Sequence, residues 1–404
     1  MKKDFLPAFR FVICSDAHIE GIGKPGYMRL KKTIDYSLGY AAEDKAYGKI
    51  DGFFIAGDLT NKGSKEEFDA FRELYDYGTE KGLDILCTVA KGHDSITMGK
   101  KSLEYYRSFT GQETDFHRVI GGYHFIGIST SRMKKHFNSP FQKMWLKREL
   151  DKAVADTPDK PVFVMHHEHI KYTVYGSFDE DGWGKILFAD LLKKYPNVVD
   201  LSGHSHYPVN DPRSLWQNEY TAMGTGSLKY TELTVDGEQK IHPESYENCA
   251  NFLIIEADKE SNLRIVGVDC LAEKELCEYY LENPADKSNR EYTYEKQLSR
   301  SKPPIFPASA EIVLTEEGGI YSAEYPAAES TDGMPVFIYR IYIENENGET
   351  VKERKTIPTY FLYETPRIQK TCLGILPEGK LKIRILAETP YGVRSEYIQK
   401  SFEV

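Results

Sequence analysis

The chain has 404 residues, of which 40% are hydrophobic and 28% charged, and a formal net charge of −10. That balance fits a globular protein with a sizeable core, and it excludes a protein that works by wrapping nucleic acid, which needs clustered Lys and Arg. No run of about eighteen apolar residues occurs, so no transmembrane helix is expected.

FRFVICSD reads as the first core strand, and an amphipathic helix is predicted over 27–48. DGFFIAGD (51–58) is the next buried strand, followed by a helix over 65–78 that Gly78 is expected to stop. DILCTVA (84–90) is a third strand, and 118–130 reads as two strands joined at Gly121-Gly122. A helix over 141–156, a strand PVFVMHH (161–167), a helix near 184–195 and strands over 198–206, 218–228, 251–258 and 262–269 complete the alternation. Such alternation predicts an α/β layered domain over 1–272.

Composition turns polar after residue 272, so 273–305 is read as a linker or connecting helix ending in the proline-rich SKPPIFPA. From 306 to 404 the pattern has period two, with NENGET as a hairpin turn, and predicts a small, separate β-sandwich. Six scattered cysteines without a CxxC pair read as free, mostly buried thiols. Asp4, Pro7 and Arg10 interrupt any apolar leader, so the expected compartment is the cytoplasm; an exported form with its signal removed is the alternative.

The chemistry gathers at the carboxyl ends of the apolar strands, where open α/β sheets place their ligands. These ends read Ser15-Asp16-Ala17-His18, Gly57-Asp58, Gly92-His93-Asp94, His166-His167 and Gly203-His204-Ser205-His206, and with His169 they hold seven of the eleven histidines. In DAH and HSH two ligand-type residues sit at i and i+2, a spacing that lets both reach one ion as a strand opens into a loop. Asp and His together suit a pair of transition-metal ions. Asp58, from a different strand, is the choice for a carboxylate between two cations, whose mutual repulsion its charge offsets. Capping of the following helices would account for Asp16 and Asp58 but not for the histidines.

In this order on alternating strands, DAH, GD, GHD, HH and GHSH resemble the calcineurin-like metallophosphoesterases over roughly residues 8 to 270. The resemblance implies a four-layer α/β/β/α sandwich, here followed by the small all-β sandwich. It further implies two divalent or trivalent ions (Mn, Fe or Zn). Asp16, His18, Asp58 and His206 would hold the first, and Asp58, His166 and His204 the second. The implied reaction is hydrolysis of a phosphoester by a hydroxide bridging the ions, with His93 as the acid. The layout looks closest to class III cyclic nucleotide phosphodiesterases, so the substrate class by resemblance is a phosphodiester, with a phosphomonoester as competitor. Aligned on His93-Asp94, the preferred reading, the family's Asn ligand is replaced by Gly92, which leaves the second ion one ligand short; slid by one residue, His93 would replace the Asn and Asp94 the acid.

A substrate pocket is expected from Asn61, Gly92, Asp94, His167, Tyr175 and Trp183, with the two aromatics as stacking surfaces and His167 as a packing residue beside the ligand His166. Asp94 or Asp16 would set the proton state of His93, and His169 is expected at the solvent or on a pocket wall. The acidic trio Asp179-Glu180-Asp181 reads as a solvated tip. YRIYIENENGETV and LGILPEGKLKIRILAETPYGVRS resemble a fibronectin type III domain, implying a protein or glycan partner rather than chemistry. Two rival readings stand beside a small-phosphoester hydrolase: a binding or scaffold module with a degenerate metal site, and an envelope-associated hydrolase recruited by its sandwich.

Overall fold

A computed structural model describes residues 5–130, 139–178 and 184–404, with the side chains of 238–240 left aside. The chain divides into two compact units, Met1–Thr293 and Tyr294–Val404.

The first unit begins with β1 (Phe9–Cys14), α1 (Pro25–Glu43), β2 (Gly52–Ala56), α2 (Lys65–Glu80), β3 (Ile85–Thr88) and α3 (Lys100–Thr110). The hairpin β4 (Phe116–Ile120) and β5 (Tyr123–Ile128) follows, then α4 (Pro140–Asp156), β6 (Val162–His166), the single turn α5 (Ala189–Leu192) and β7 (Val198–Ser202). β8 (Leu215–Gln217), β9 (Thr221–Gly224), β10 (Leu233–Val235), β11 (Glu238–Ile241), β12 (Asn251–Ala257), β13 (Leu263–Asp269) and β14 (Lys274–Leu281) complete it. Two mixed sheets result, ordered β14-β13-β12-β1-β2-β3 and β4-β5-β6-β7-β9-β8. β1, β2 and β3 run parallel in one, and β5, β6, β7 and β9 in the other.

The two sheets face each other across one apolar layer. Phe9, Phe11 and Ile13 of β1 meet Phe125, Phe163 and Leu201 there, with Phe11 and Phe163 ring centroids 4.8 Å apart. The alternate residues Val12 and Cys14 face outward onto α1 and α2 through Leu30, Ile34, Phe68 and Leu74. The other sheet turns Val162, Val164 and Val198 onto Leu146 and Leu150 of α4. Strands buried on both faces must be apolar throughout, which is why they read as continuous hydrophobic runs. The expected α/β/β/α layering is therefore present, with the parallel strands delivering their carboxyl ends to one edge.

Several boundaries differ from expectation. α2 runs past Gly78 to Glu80; a Cβ at Gly78 would lie 2.6 Å from Ile85 Cδ1, so the glycine admits a close strand rather than ending a helix. The helix expected over 184–195 shrinks to α5, and α3 forms where none was expected. The segment read as a linker supplies β14, an edge strand paired with β13 whose exposed polar residues hid its pattern, while its helix is α6 (Tyr294–Arg300). None of the six cysteines forms a disulfide, and only Cys372 is exposed. Among the described residues no helix is long and apolar enough to cross a membrane.

Beyond α6 the second unit consists of antiparallel strands: β15 (Val313–Glu317), β16 (Ile320–Pro326), β17 (Ile338–Glu344), β18 (Thr350–Thr356), β19 (Ile368–Gly374), β20 (Lys380–Glu388) and β21 (Ile398–Glu403). They form two sheets, β15-β16-β19 and β18-β17-β20-β21, around Tyr325, Tyr339, Ile341, Leu373 and Ile383. NENGET is the expected hairpin turn between β17 and β18.

Candidate metal centre

The site is assembled by backbone before side chains. The loop after β1 lies along the loop after β2, with Asp16, His18 and Ile19 donating their amides to the carbonyls of Gly57, Asp58 and Leu59 at 3.1, 3.0 and 3.0 Å. Asp16, His18 and Asp58 have positive φ of 54°, 44° and 48°, and His204 and His206 have 74° and 60°. Left-handed backbone is uncommon outside glycine, though Asp, Asn and His are enriched in it, and strain of this kind clusters at functional sites. Two glycines are required by close approach: a Cβ at Gly57 would lie 2.6 Å from His167 Nδ1, and one at Gly203 2.3 Å from Ser15 Oγ.

The resulting cluster has two lobes. In the first, His206 Nε2 is 3.2 Å from Asp16 Oδ1 and 3.3 Å from His18 Nε2. In the second, His167 Nε2 is 3.2 Å from Asp58 Oδ2 and 3.1 Å from His204 Nδ1. The lobes touch through His18 Nε2, 3.6 Å from Asp58 Oδ2, and through His167 Nε2, 3.8 Å from Asp16 Oδ1. Two sets, Asp16-His18-His206 and Asp58-His167-His204, have their ligand atoms close enough to hold one cation each; His18-Asp58-His93 forms a third such set across the middle.

Neighbours fix which atoms face inward. Asp16 Oδ2 accepts from Ser15 Oγ and from the His204 amide (3.0 Å), so Oδ1 is presented to the lobes. His167 Nδ1 lies 2.9 Å from the Ala56 carbonyl, which can only accept; the proton sits on Nδ1 and Nε2 faces the cluster. His206 Nδ1 lies 3.1 Å from Ser227 Oγ. His93 Nδ1 lies 2.6 Å from the Asn61 carbonyl, and the His93 and His18 rings are 4.4 Å apart.

The electrostatics of the bare cluster call for positive charge. Asp16 Oδ1 and Asp58 Oδ1 are buried and accept no hydrogen bond. Burial opposes the charge on both carboxyls, yet the surrounding histidines hold both below the ordinary carboxylate range. Burial likewise opposes protonation of His167, but Asp58 and Asp16 raise it to about 10. Elsewhere burial wins: His18 falls to about 4 and His204 well below the usual imidazole value. An unsatisfied carboxylate pair ringed by imidazoles is the donor set that borderline transition-metal ions prefer, and these residues fit a dinuclear centre.

Asp16, His18, Asp58, His93, His204 and His206 are brought together as expected, but His166 is not. Its Nε2 is 2.6 Å from Asp200 Oδ1 on the α4 side of the sheet, and His167 takes the place in the cluster. Adjacent residues at a strand end point to opposite faces, so only one of the pair can enter the site. His169 is buried between Ser202 Oγ (2.8 Å) and Ser205 Oγ (2.7 Å) rather than facing solvent. Asp94 is a buried clamp and not a pocket wall. Its Oδ1 accepts from Thr60 N (2.8 Å) and Oγ1 (2.9 Å), and its Oδ2 from Ala90 N (2.9 Å). Burial first, then the charge of Asp58, lifts its carboxyl to about 7.

Gly92 does line a cavity of about 390 Å³, together with Val89, Ile96 and Leu103. Asn61 touches His93 through its carbonyl. Tyr175 is buried, its hydroxyl donating to the Thr234 carbonyl at 2.6 Å under the Arg213 guanidinium, so it offers no stacking face. Trp183 and the acidic trio lie outside the described residues. Ser227 was missed from the sequence; its signal is the small, polar GTGS that follows β9 at the same sheet edge.

The chain is similar to several known proteins. Residues 9–208 match the family model described as calcineurin-like phosphoesterase. A probable glycerophosphodiester phosphodiesterase GpdQ from Arcobacter nitrofigilis is 30% identical over 202 residues, 48% of this chain and 70% of that protein. Among solved structures, GAP50, the anchor in the inner membrane complex of Plasmodium, has a TM-score of 0.47 at 16% identity, covering 70% of this chain and 92% of that one. Purple acid phosphatase PPD1 from yellow lupin seeds has a TM-score of 0.48 at 12% identity, covering 67% and 53%.

Proposed function

The chain belongs to the calcineurin-like phosphoesterase family, and from that premise we propose that it hydrolyses a small phosphodiester at a dinuclear metal centre. The observation that carries the reading is the pair of adjoining ligand sets, one around Asp16 and one around Asp58, that touch through His18 and His167. Asp16, His18 and His206 would hold one ion and Asp58, His167 and His204 the other. When bound, such a pair polarises phosphoryl oxygens and lowers the pKa of water. The similarity to a probable glycerophosphodiester phosphodiesterase favours a diester over a monoester.

His93 supplies the proton. Because His93 Nδ1–H donates to the Asn61 carbonyl, the proton available for transfer is the one on Nε2, on the side of His18 and Asp58. A leaving alkoxide placed there receives it, a contribution of about 10²–10⁴-fold in rate. The C-terminal sheets are read as a fibronectin-type-III-like module that binds or spaces.

The test is elemental analysis of the purified protein beside hydrolysis of bis(p-nitrophenyl) phosphate with added Mn²⁺. Near two ions per chain with metal-dependent turnover is the expected result. One ion or none, with no turnover in excess Mn²⁺, removes the two-metal reading and leaves the binding module.

A further inference from the structure

The loop after β9 carries a cation that the assignments above leave unused. Its backbone is tied to the metal cluster: the Leu228 amide donates to the Ser15 carbonyl at 3.1 Å, and the Lys229 amide to Ser227 Oγ at 2.9 Å. Ser227 Oγ in turn lies 3.1 Å from the ligand-type His206. Arg29 grips the carbonyls of Leu228 and Lys229 from α1. The position of Lys229 is thus set by the same residues that build the site.

Its side chain is half-buried and reaches Asn61, with Nζ 2.8 Å from Oδ1. Asn61 is the residue whose carbonyl holds His93. Among the described residues the ammonium makes no ion pair; its partners are the neutral Asn61 Oδ1 and the Tyr230 ring, whose centroid is 5.7 Å from Nζ. Partial desolvation of a charge without a counter-charge is unfavourable. Burial pulls the Lys229 ammonium below its ordinary value, and Glu20, Asp58 and Asp16 act in the opposite direction, so the field of the site's carboxylates reaches it. A cation held beside the metal-ligand cluster with only neutral partners and no anion of its own is arranged to receive one.

We propose that Lys229 is a substrate-binding residue of this centre, donating to a non-bridging phosphoryl oxygen of the bound phosphoester while Asn61 fixes its direction. This rests on the phosphoesterase reading and adds the residue that recognises the anion. The Mn²⁺-loaded protein and its Lys229→Met and Lys229→Arg variants would be compared by calorimetric titration with inorganic phosphate, alongside kcat and KM for bis(p-nitrophenyl) phosphate. Metal content and Tm would be recorded for each.

Lys229→Met is expected to keep its metals and to lose about 10- to 100-fold in phosphate affinity and in kcat/KM, the effect of one hydrogen bond to a charged group. Lys229→Arg is expected to recover part of both. Should Lys229→Met not fold, Lys229→Gln carries the same comparison. Phosphate affinity unchanged in the variant at equal metal content overturns the assignment, as does a metal-loaded wild type that binds no phosphate. A lowered Tm with unchanged affinity also overturns it, making Lys229 a strut for Asn61. Wild-type protein that binds phosphate through Lys229 but hydrolyses no ester leaves this assignment standing and removes the hydrolase reading instead.

Discussion

The two units of the chain obey folding rules to different degrees. In the C-terminal unit β17 alternates buried Ile341 and Ile343 with half-exposed Arg340, Tyr342 and Glu344, and the unit has no histidine. In the first unit the strand ends break the rules together. Of the ten non-glycine residues with positive φ among the described residues, five are Asp16, His18, Asp58, His204 and His206, and none lies in Tyr294–Val404. One unit is built for packing. The other carries strained backbone and unsatisfied buried carboxylates at one edge, and such costs persist where something else repays them.

The sharpest way to break that contrast is to exchange the fates of two neighbouring histidines. His167→Gln should abolish turnover and leave one metal per chain by elemental analysis. His166→Gln should keep the metals and lower stability by about 1–3 kcal/mol, since it disturbs the partner of buried Asp200. The reverse result would restore His166 as the ligand. Next in size, His93→Gln should lower kcat about 10²–10⁴-fold with metal content unchanged, and least for esters whose leaving groups need no proton.

In the other unit, Ile341→Ala removes a fully buried side chain and should cost about 2–5 kcal/mol in denaturant unfolding of that unit. Turnover should be unaltered; a parallel loss of activity would join what the contrast separates.

The smallest effect concerns pH, away from the cluster. Burial alone would raise the Glu149 carboxyl, but hydrogen bonds from His117, Lys152 and Arg148 bring it down to about 2. A carboxyl depressed on folding binds fewer protons folded than unfolded. Its stabilisation is therefore complete above the ordinary value of 4.5 and drains away as pH falls toward about 2. Glu149→Gln should lower Tm at neutral pH and converge with the wild type as pH falls toward about 2, flattening the acid limb of Tm against pH over that window.

Much of this was legible because strands buried on both faces must be apolar, so a polar residue at their ends stands out. Asp16, His18, Asp58, His204 and His206 were found that way. What stayed hidden depends on orientation. HH at the end of β6 does not say which ring faces which layer; that follows from whether Val162 and Val164 pack on α4. Tyr175 looked like a stacking platform because sequence does not reveal that Tyr207 and Arg213 close over it. β14 was lost because an edge strand is free to be polar on its exposed side.

Asp94 joins Thr60, two residues past Asp58, to Ala90, three residues before His93. One buried carboxyl thus couples the loop bearing Asp58 to the loop bearing His93. Two independent loops would have to find their mutual distance anew at each encounter with substrate, an entropic cost borne at the barrier. Stapled together, they meet the substrate already at the working separation, so the ordering is done during folding and the transition state is reached with little reorganisation.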